Sequence, residues 1–256
     1  MKDRRTRRVL GLTIVAAFVF AAGEARADVY MKQKVHTGAF SVMGQTQPEK
    51  DEIMVFWMGA NRARTDTEST NASMIFLTDK KVLYMIDHAN KQYSEMPLNI
   101  DALLGKAAGE AGGDEKEAEG MAAMMKGMLG NMSAKVTETG ETKKIGSWNC
   151  RKYLVEVDLG MGKSQAEAWA TEELKIDYSL AFTMANAMMA GMPGFEKIIA
   201  EMKKVKGVIV QQTAKVAMMG AEVVSTTELL ECTEKAAPAG HYDLPAGYKK
   251  VKGITG

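Results

Sequence analysis

The feature that most constrains this chain is a change of hydrophobic period. Between residues 51 and 96 the apolar residues come in short runs separated by polar turns. Between 99 and 132 they recur every three or four positions, and from 134 the short runs return. A period of two requires a strand and a period near 3.6 requires a helix, so the two patterns cannot share one element type. Asp51–Met58 (DEIMVFWM) is apolar on both parities and is expected to be covered on both faces. Arg62–Thr67, Ser73–Thr78 (SMIFLT), Val82–Asp87 (VLYMID) and Gln92–Met96 follow, punctuated by Gly59-Ala60-Asn61, Asp79-Lys80-Lys81 and His88-Ala89-Asn90-Lys91. Short strands joined by tight polar turns read as an antiparallel meander. A weaker strand is expected from Asp28 to about Met43, ended by the turn residues Thr46 to Lys50.

The helical patterns lie in two blocks. Ile100, Leu103, Leu104 and Ala107 share a face, and Gly112-Gly113 interrupts it. Asp114 then caps a second stretch with Glu117 three residues on, running to Met132. Its stripe is Met121, Met124, Met125, Met128, Leu129 and Met132. Gly120, Gly127 and Gly130 each cost about 1 kcal/mol relative to Ala in a helix interior, so this helix depends on packing. The other block carries Leu180, Met184, Ala187 and Met188, then, after Pro193-Gly194, Phe195, Ile198, Ile199, Met202 and Val205. Around these lie strands at Lys135–Lys144, Trp148–Leu159, Ser164–Thr171, Val208–Met219 and Glu222–Cys232. Strands and helices in separate blocks, about ten and four of them, indicate an α+β chain built on a large antiparallel sheet.

The first 27 residues are expected to be lost. Lys2, Arg4, Arg5, Arg7 and Arg8 precede an apolar run, Val9 to Gly23, and Ala25-Arg26-Ala27 offers small residues for cleavage after Ala27. That run is about 15 residues, short of the roughly 20 that span a bilayer. Residues 1–27 therefore read as a secretory signal peptide and 28–256 as a single exported, periplasmic domain. The segment holds six Lys/Arg and two Asp/Glu, +4 in all, so the whole-chain charge of +1 leaves −3 for the remainder. A near-neutral chain of mixed charge has no electrostatic case for nucleic acid. Export makes a disulfide between Cys150 and Cys232 the favoured reading, against two buried thiols.

Three stretches carry a family resemblance. They are Tyr84-Met85-Ile86-Asp87 through Lys91-Gln92-Tyr93; Glu141 to Tyr153 (ETKKIGSWNCRKY) with Ala168 to Ile176 (AWATEELKI); and Tyr242 to Lys250 (YDLPAGYKK). Their order and spacing resemble the bacterial exported family called domain of unknown function 4412, which is similar to the superfamily of the lipoprotein-handling carriers LolA and LolB. The resemblance spans most of residues 50–250. It implies a LolA-like open half-barrel: a curved antiparallel sheet with helices on its concave face and an apolar cavity. It implies no catalytic or ligand residues. Carriers of this kind move a lipid-modified cargo between membranes, which makes a hydrophobic ligand or lipidated protein the implied partner, with transient membrane or envelope-protein contact.

Enzyme chemistry is not evident in the sequence. His36, His88 and His241 stand far apart, and no HExxH, CxxC, zinc spacing, phosphate loop or nucleophile elbow is present. The expectation is a protein that is not an enzyme and takes no cofactor. The unusual component is methionine, 21 residues in all. Three readings stand for its helical stripes: core filling, an adaptable apolar cavity, and soft-metal Cu(I) binding by thioethers. The cavity reading nominates Met121, Met124, Met125, Met128, Met132, Met184 and Met188, with Trp57, Trp148 and Trp169 expected on the same face. The expected function is a non-enzymatic carrier of a hydrophobic ligand; the alternative is an envelope interaction module without one.

Overall fold

The computed structural model describes residues 27–42, 45–98, 120, 123, 124, 127, 130–158, 162–176, 179–188, 194–218 and 221–253. The expected signal segment up to residue 26, the helix expected from Asn99, and Met121, Met125 and Met128 lie outside them. The elements are β1 Asp28–Thr37, β2 Phe40–Val42, β3 Gln45–Gln47, β4 Lys50–Met58, β5 Arg62–Thr67, β6 Ala72–Leu77, β7 Val82–Asp87 and β8 Gln92–Pro97. They continue with β9 Ser133–Ile145, β10 Trp148–Asp158, β11 Gly162–Thr171, α1 Ser179–Met188, α2 Phe195–Met202, β12 Val208–Met218, β13 Ala221–Lys235 and β14 Lys249–Lys250. Twelve strands form one sheet in the order β14-β8-β7-β6-β5-β4-β1-β13-β12-β11-β10-β9, and β2 pairs with β3 in a separate ribbon. All neighbours in the large sheet are antiparallel except β14 and β8, which run parallel. The expected large antiparallel sheet is present, with this one parallel exception, and it is open between β14 and β9.

Two strands differ from the sequence reading. The first strand ends at Thr37, where Gly38 N donates to the Val224 carbonyl at 2.9 Å and turns the chain away. Gln45–Gln47, of which Thr46 and Gln47 belong to the expected turn, pairs with Phe40–Val42.

β5 to β8 repeat with a geometric period of ten residues that the side chains do not repeat. Each unit is a six-residue strand and a four-residue turn, with Asn71, Lys81 and Lys91 at positive φ of 49, 52 and 51°. The same backbone bond closes each step: Thr78 N to the Asn61 carbonyl, His88 N to Asn71, and Leu98 N to Lys81, at 2.9, 3.1 and 2.8 Å. A left-handed residue at the turn's end lets the next strand start in register.

The core falls into three clusters. Val136, Tyr153, Val155, Ala166, Ala168 and Ala170 form one, sealed by Met202 of α2 and by Val205. The alanines let α2 approach the sheet, and Glu201 Oε2 accepts from the Val136 N–H at 2.9 Å on the edge strand β9. Met31, Cys150, Val208, Val210 and Leu229 form the second. Trp57, Ile75, Ile86 and Tyr242 form the third. Gly207, at φ 85°, crosses so close to β11 that a Cβ there would collide with the Thr171 carbonyl.

Candidate functional site

Register carries one face across the sheet. Val155, under α2, faces Ala166, then Ala214, Ser225 and Thr37 on successive strands, and Thr37 faces Lys50 of β4. Alternation along β4 then places Met54, Phe56 and Met58 on the same side as α2. Continuing outward, that side collects Ala63, Thr65 and Thr67 of β5, Ala72, Met74 and Phe76 of β6, Leu83 and Met85 of β7, and Ser94 and Met96 of β8. Met74 and Met85 are direct cross-strand partners, and Met96 lies diagonal to Met85. Five methionines, two phenylalanines and a leucine on this field are all half-buried. A cleft of about 180 Å³ opens on it between Thr65, Thr67, Met74 and Met85. Methionine is unbranched and polarisable, so such a field accommodates varied apolar shapes.

The opposite face of the same strands is closed by the C-terminal segment. Tyr242, Leu244 and Tyr248 pack on Tyr30, Trp57, Ile75, Tyr84, Ile86 and Tyr93. Tyr242 Oη donates to Asp28 Oδ2 at 3.0 Å, and Arg62 lies 3.6 Å from the same carboxylate. Arg64 Nη1 donates to the His241 carbonyl at 2.8 Å. A chain of polar contacts runs below: Arg64 Nε to Asp66 at 2.8 Å, Asp66 to Ser73 Oγ, Ser73 Oγ to His88 Nε2 at 2.7 Å, and His88 Nδ1 to Tyr248 Oη at 3.0 Å. Burial, reinforced by the Arg64 guanidinium, holds both His88 and His241 below the usual histidine range. Burial first, then the Asp28 carboxylate, raises the Tyr242 phenol.

Across β9 to β12, the face away from α2 is different again. Lys135, Glu156, Gln165, Glu167, Thr213 and Lys215 line an open groove of about 680 Å³, with Leu154 exposed in its floor.

The residues nominated from the sequence do not form one site. Met124 is 63% exposed and Met132 is 4% exposed, so these two members of the stripe see opposite environments. Met184 and Met188 lie on α1, which touches α2 and β4. Trp57 is on the far face, under the C-terminal segment, because it alternates with Phe56 and Met58. Trp169 lies under the Lys143 ammonium, 4.1 Å from its ring centroid, and both Trp169 and Trp148 pack against the second cluster. The expected disulfide is absent: Cys150 and Cys232 are free. Both touch the second cluster, but β11 and β12 lie between their strands, about 14 Å along the sheet at the usual strand spacing. A disulfide needs Cα atoms about 4.4–6.8 Å apart. Burial pushes the Cys232 thiol up to about 11 and raises Cys150 as well, which disfavours the thiolate form of both.

The methionine field that the fold does assemble, Met54, Met58, Met74, Met85 and Met96, has no counterpart in the sequence reading. Its signal is the even spacing of Met74, Met85 and Met96, which a six-residue strand and four-residue turn convert into one patch.

No curated protein matches the chain. An uncharacterized conserved protein from Thermus thermophilus is similar in structure at 6% identity and a TM-score of 0.45, over 88% of this chain and 90% of that one. A DUF1329 family protein from Desulfovibrio piger is similar at 6% identity and a TM-score of 0.23, over 86% and 90%. Neither likeness bears on function at those values. The model of the family described as domain of unknown function DUF4412 matches residues 36–248, from β1 to the C-terminal segment, and the chain belongs to that family.

Proposed function

We propose that this protein is a non-enzymatic carrier of an acyl ligand, exported to the periplasm and cleaved after Ala27, with a single LolA-like half-barrel domain that holds the ligand between its sheet and its helices on the concave side. The observation that carries the reading is the half-buried field of Met54, Phe56, Met58, Met74, Phe76, Leu83, Met85 and Met96 on the helix-bearing face. A core needs no such excess of methionine, whereas a surface that takes varied chains does. The Ser73–His88 contact does not argue for hydrolysis. Ser73 is 3% exposed, its carboxylate neighbour touches the serine and not the imidazole, and the second imidazole nitrogen is taken by Tyr248.

Native mass spectrometry of protein purified from the periplasm tests the reading. Co-purified lipid, or displacement of a bound neutral fluorophore by acyl compounds after delipidation, is expected. Lipid-free protein that binds no such fluorophore sinks it. The edge strand β9 and the charged groove beside it favour a second reading, an envelope interaction module, which predicts lipid-free protein that co-purifies with a defined envelope partner.

A further inference from the structure

The depth of the cleft on the methionine field comes from one small side chain. In register, Ala72 of β6 stands between Thr67 of β5 and Asp87 of β7. The next residues of this face along β6 and β7 are Met74 and Met85. The Asp87 carboxylate is held by Asn90, whose backbone N–H and side-chain amide donate to it at 3.0 and 2.6 Å. The space over Ala72 stays open, about 180 Å³ of it, bounded by Thr65, Thr67, Thr70, Met74 and Met85.

Two properties decide what fits there. No residue lining the cleft is ionisable; they are threonine, serine, alanine, methionine and isoleucine. A charged headgroup pushed into it would shed water with no ion to meet it, whereas an apolar group gains by entering. The volume is that of about six water-sized groups, well below the roughly 300 Å³ of a site that encloses a whole small molecule. The cleft has the size of the end of a chain. From its Met85 wall the field continues to Met96, diagonal on β8, so a chain leaving the cleft crosses flexible thioethers.

Building on the carrier reading, we infer that the ligand is seated tail first: about six terminal carbons of an acyl chain fill the cleft over Ala72, the rest of the chain lies on Met85 and Met96, and the headgroup stays outside in solvent. The selected class is a chain with a slender end, whatever its headgroup, and Ala72 is the residue that sets the fit. A free fatty acid, a neutral ester and an acylated peptide are accepted alike.

The test uses the delipidated, full-length mature protein loaded with N-phenylnaphthylamine at pH 8, each variant's own affinity for the fluorophore being measured first. Myristate, monomyristin and an N-myristoylated glycine peptide are expected to displace it within about threefold of one another. A dodecanoate ending in an adamantyl cage, which exceeds the cleft, is expected to compete at least about tenfold worse than myristate. Each chain carbon kept out of an apolar seat costs about fourfold in affinity, so Ala72→Leu, which fills the cleft, is expected to weaken all three myristoyl compounds by about tenfold or more. Ala72→Ser, which keeps the space, is expected to bind them as the wild type does. Far-UV circular dichroism reports the fold of both variants, and the caged acid tests the wild type without any substitution. A caged acid that competes as well as myristate, a folded Ala72→Leu variant that binds myristate unchanged, or a tenfold spread among the three headgroups overturns this inference and leaves the carrier reading standing. Failure of every acyl compound on the wild type overturns the carrier reading with it.

Discussion

The two halves of the sheet solve the same problem in different ways. From β4 to β8 the strands are short, one face is closed by the C-terminal segment and the other carries the methionine field. From β9 to β13 the strands run to between ten and fifteen residues, one face packs small alanines under α2, and the other is charged and open. The turns differ too. The first half ends its turns with Asn71, Lys81 and Lys91 in the left-handed region, whereas the β9–β10 hairpin places Gly146 there. Short strands with bulky side chains build an adaptable surface; long strands with small side chains build a rigid platform for a helix.

Whether the halves are one cooperative unit is the sharpest way to break this contrast. Ile75→Ala, in the first half and 0% exposed, is expected to cost about 2–5 kcal/mol, and Tyr153→Ala, in the second and 1% exposed, about 3–5 kcal/mol. Because β1 pairs with β13 along the whole of β1, each variant is expected to shift a single urea transition followed by circular dichroism. Two separated transitions would show independent halves. The next effect tests the clasp of the C-terminal segment. Tyr242→Phe is expected to cost about 1–3 kcal/mol by leaving Asp28 without its phenol donor, while Leu154→Ala, on the open face of the other half, stays within about 0.5 kcal/mol.

The clasp is also expected to weaken in acid. His88 and His241 bind protons less readily folded than unfolded, so between their lowered folded pKa values and about 6.5 the unfolded chain carries more protons. Stability from this source is complete above about pH 6.5 and falls as pH drops below it. The melting temperature should decline from pH 7.5 toward 5.5, and His88→Gln should flatten the decline. An equal slope in the variant removes His88 from the account. The smallest effect concerns the turns. Lys81→Gly is expected to stabilise by about 0.5–1 kcal/mol by relieving a left-handed lysine, and Gly146→Ala to destabilise by a similar amount. Thermal melts that move in the same direction for both would refute the distinction.

The sheet was legible because period-two runs and turn residues are local signals. The methionine field was not, because it depends on register. Met74 and Met85 meet only once the turn lengths are fixed, and a one-residue slip would send them to the other face. The helical methionines stand out because their spacing is visible within a single element. Trp57 falls on the unexpected side for the same reason: on a strand apolar at both parities, composition does not say which parity faces the helices. The cysteines failed differently. An oxidising compartment permits a disulfide, but only strand order reveals two strands standing between the thiols.

The seam between the halves has a consequence for how the chain comes together. β1 is the earliest strand among the described residues, yet it sits in the middle of the sheet, between β4 and β13. A polypeptide emerging from its N-terminus can zip β1 to β4 and on through β8 at once, but one edge of β1 then waits until Ala221–Lys235 arrives, and Asp28 waits for Tyr242. The last stretch delivered is the one that joins the two halves and fastens the first residue of the sheet. Assembly therefore finishes at its beginning, and a chain cut short before residue 221 leaves a bare strand edge in its centre.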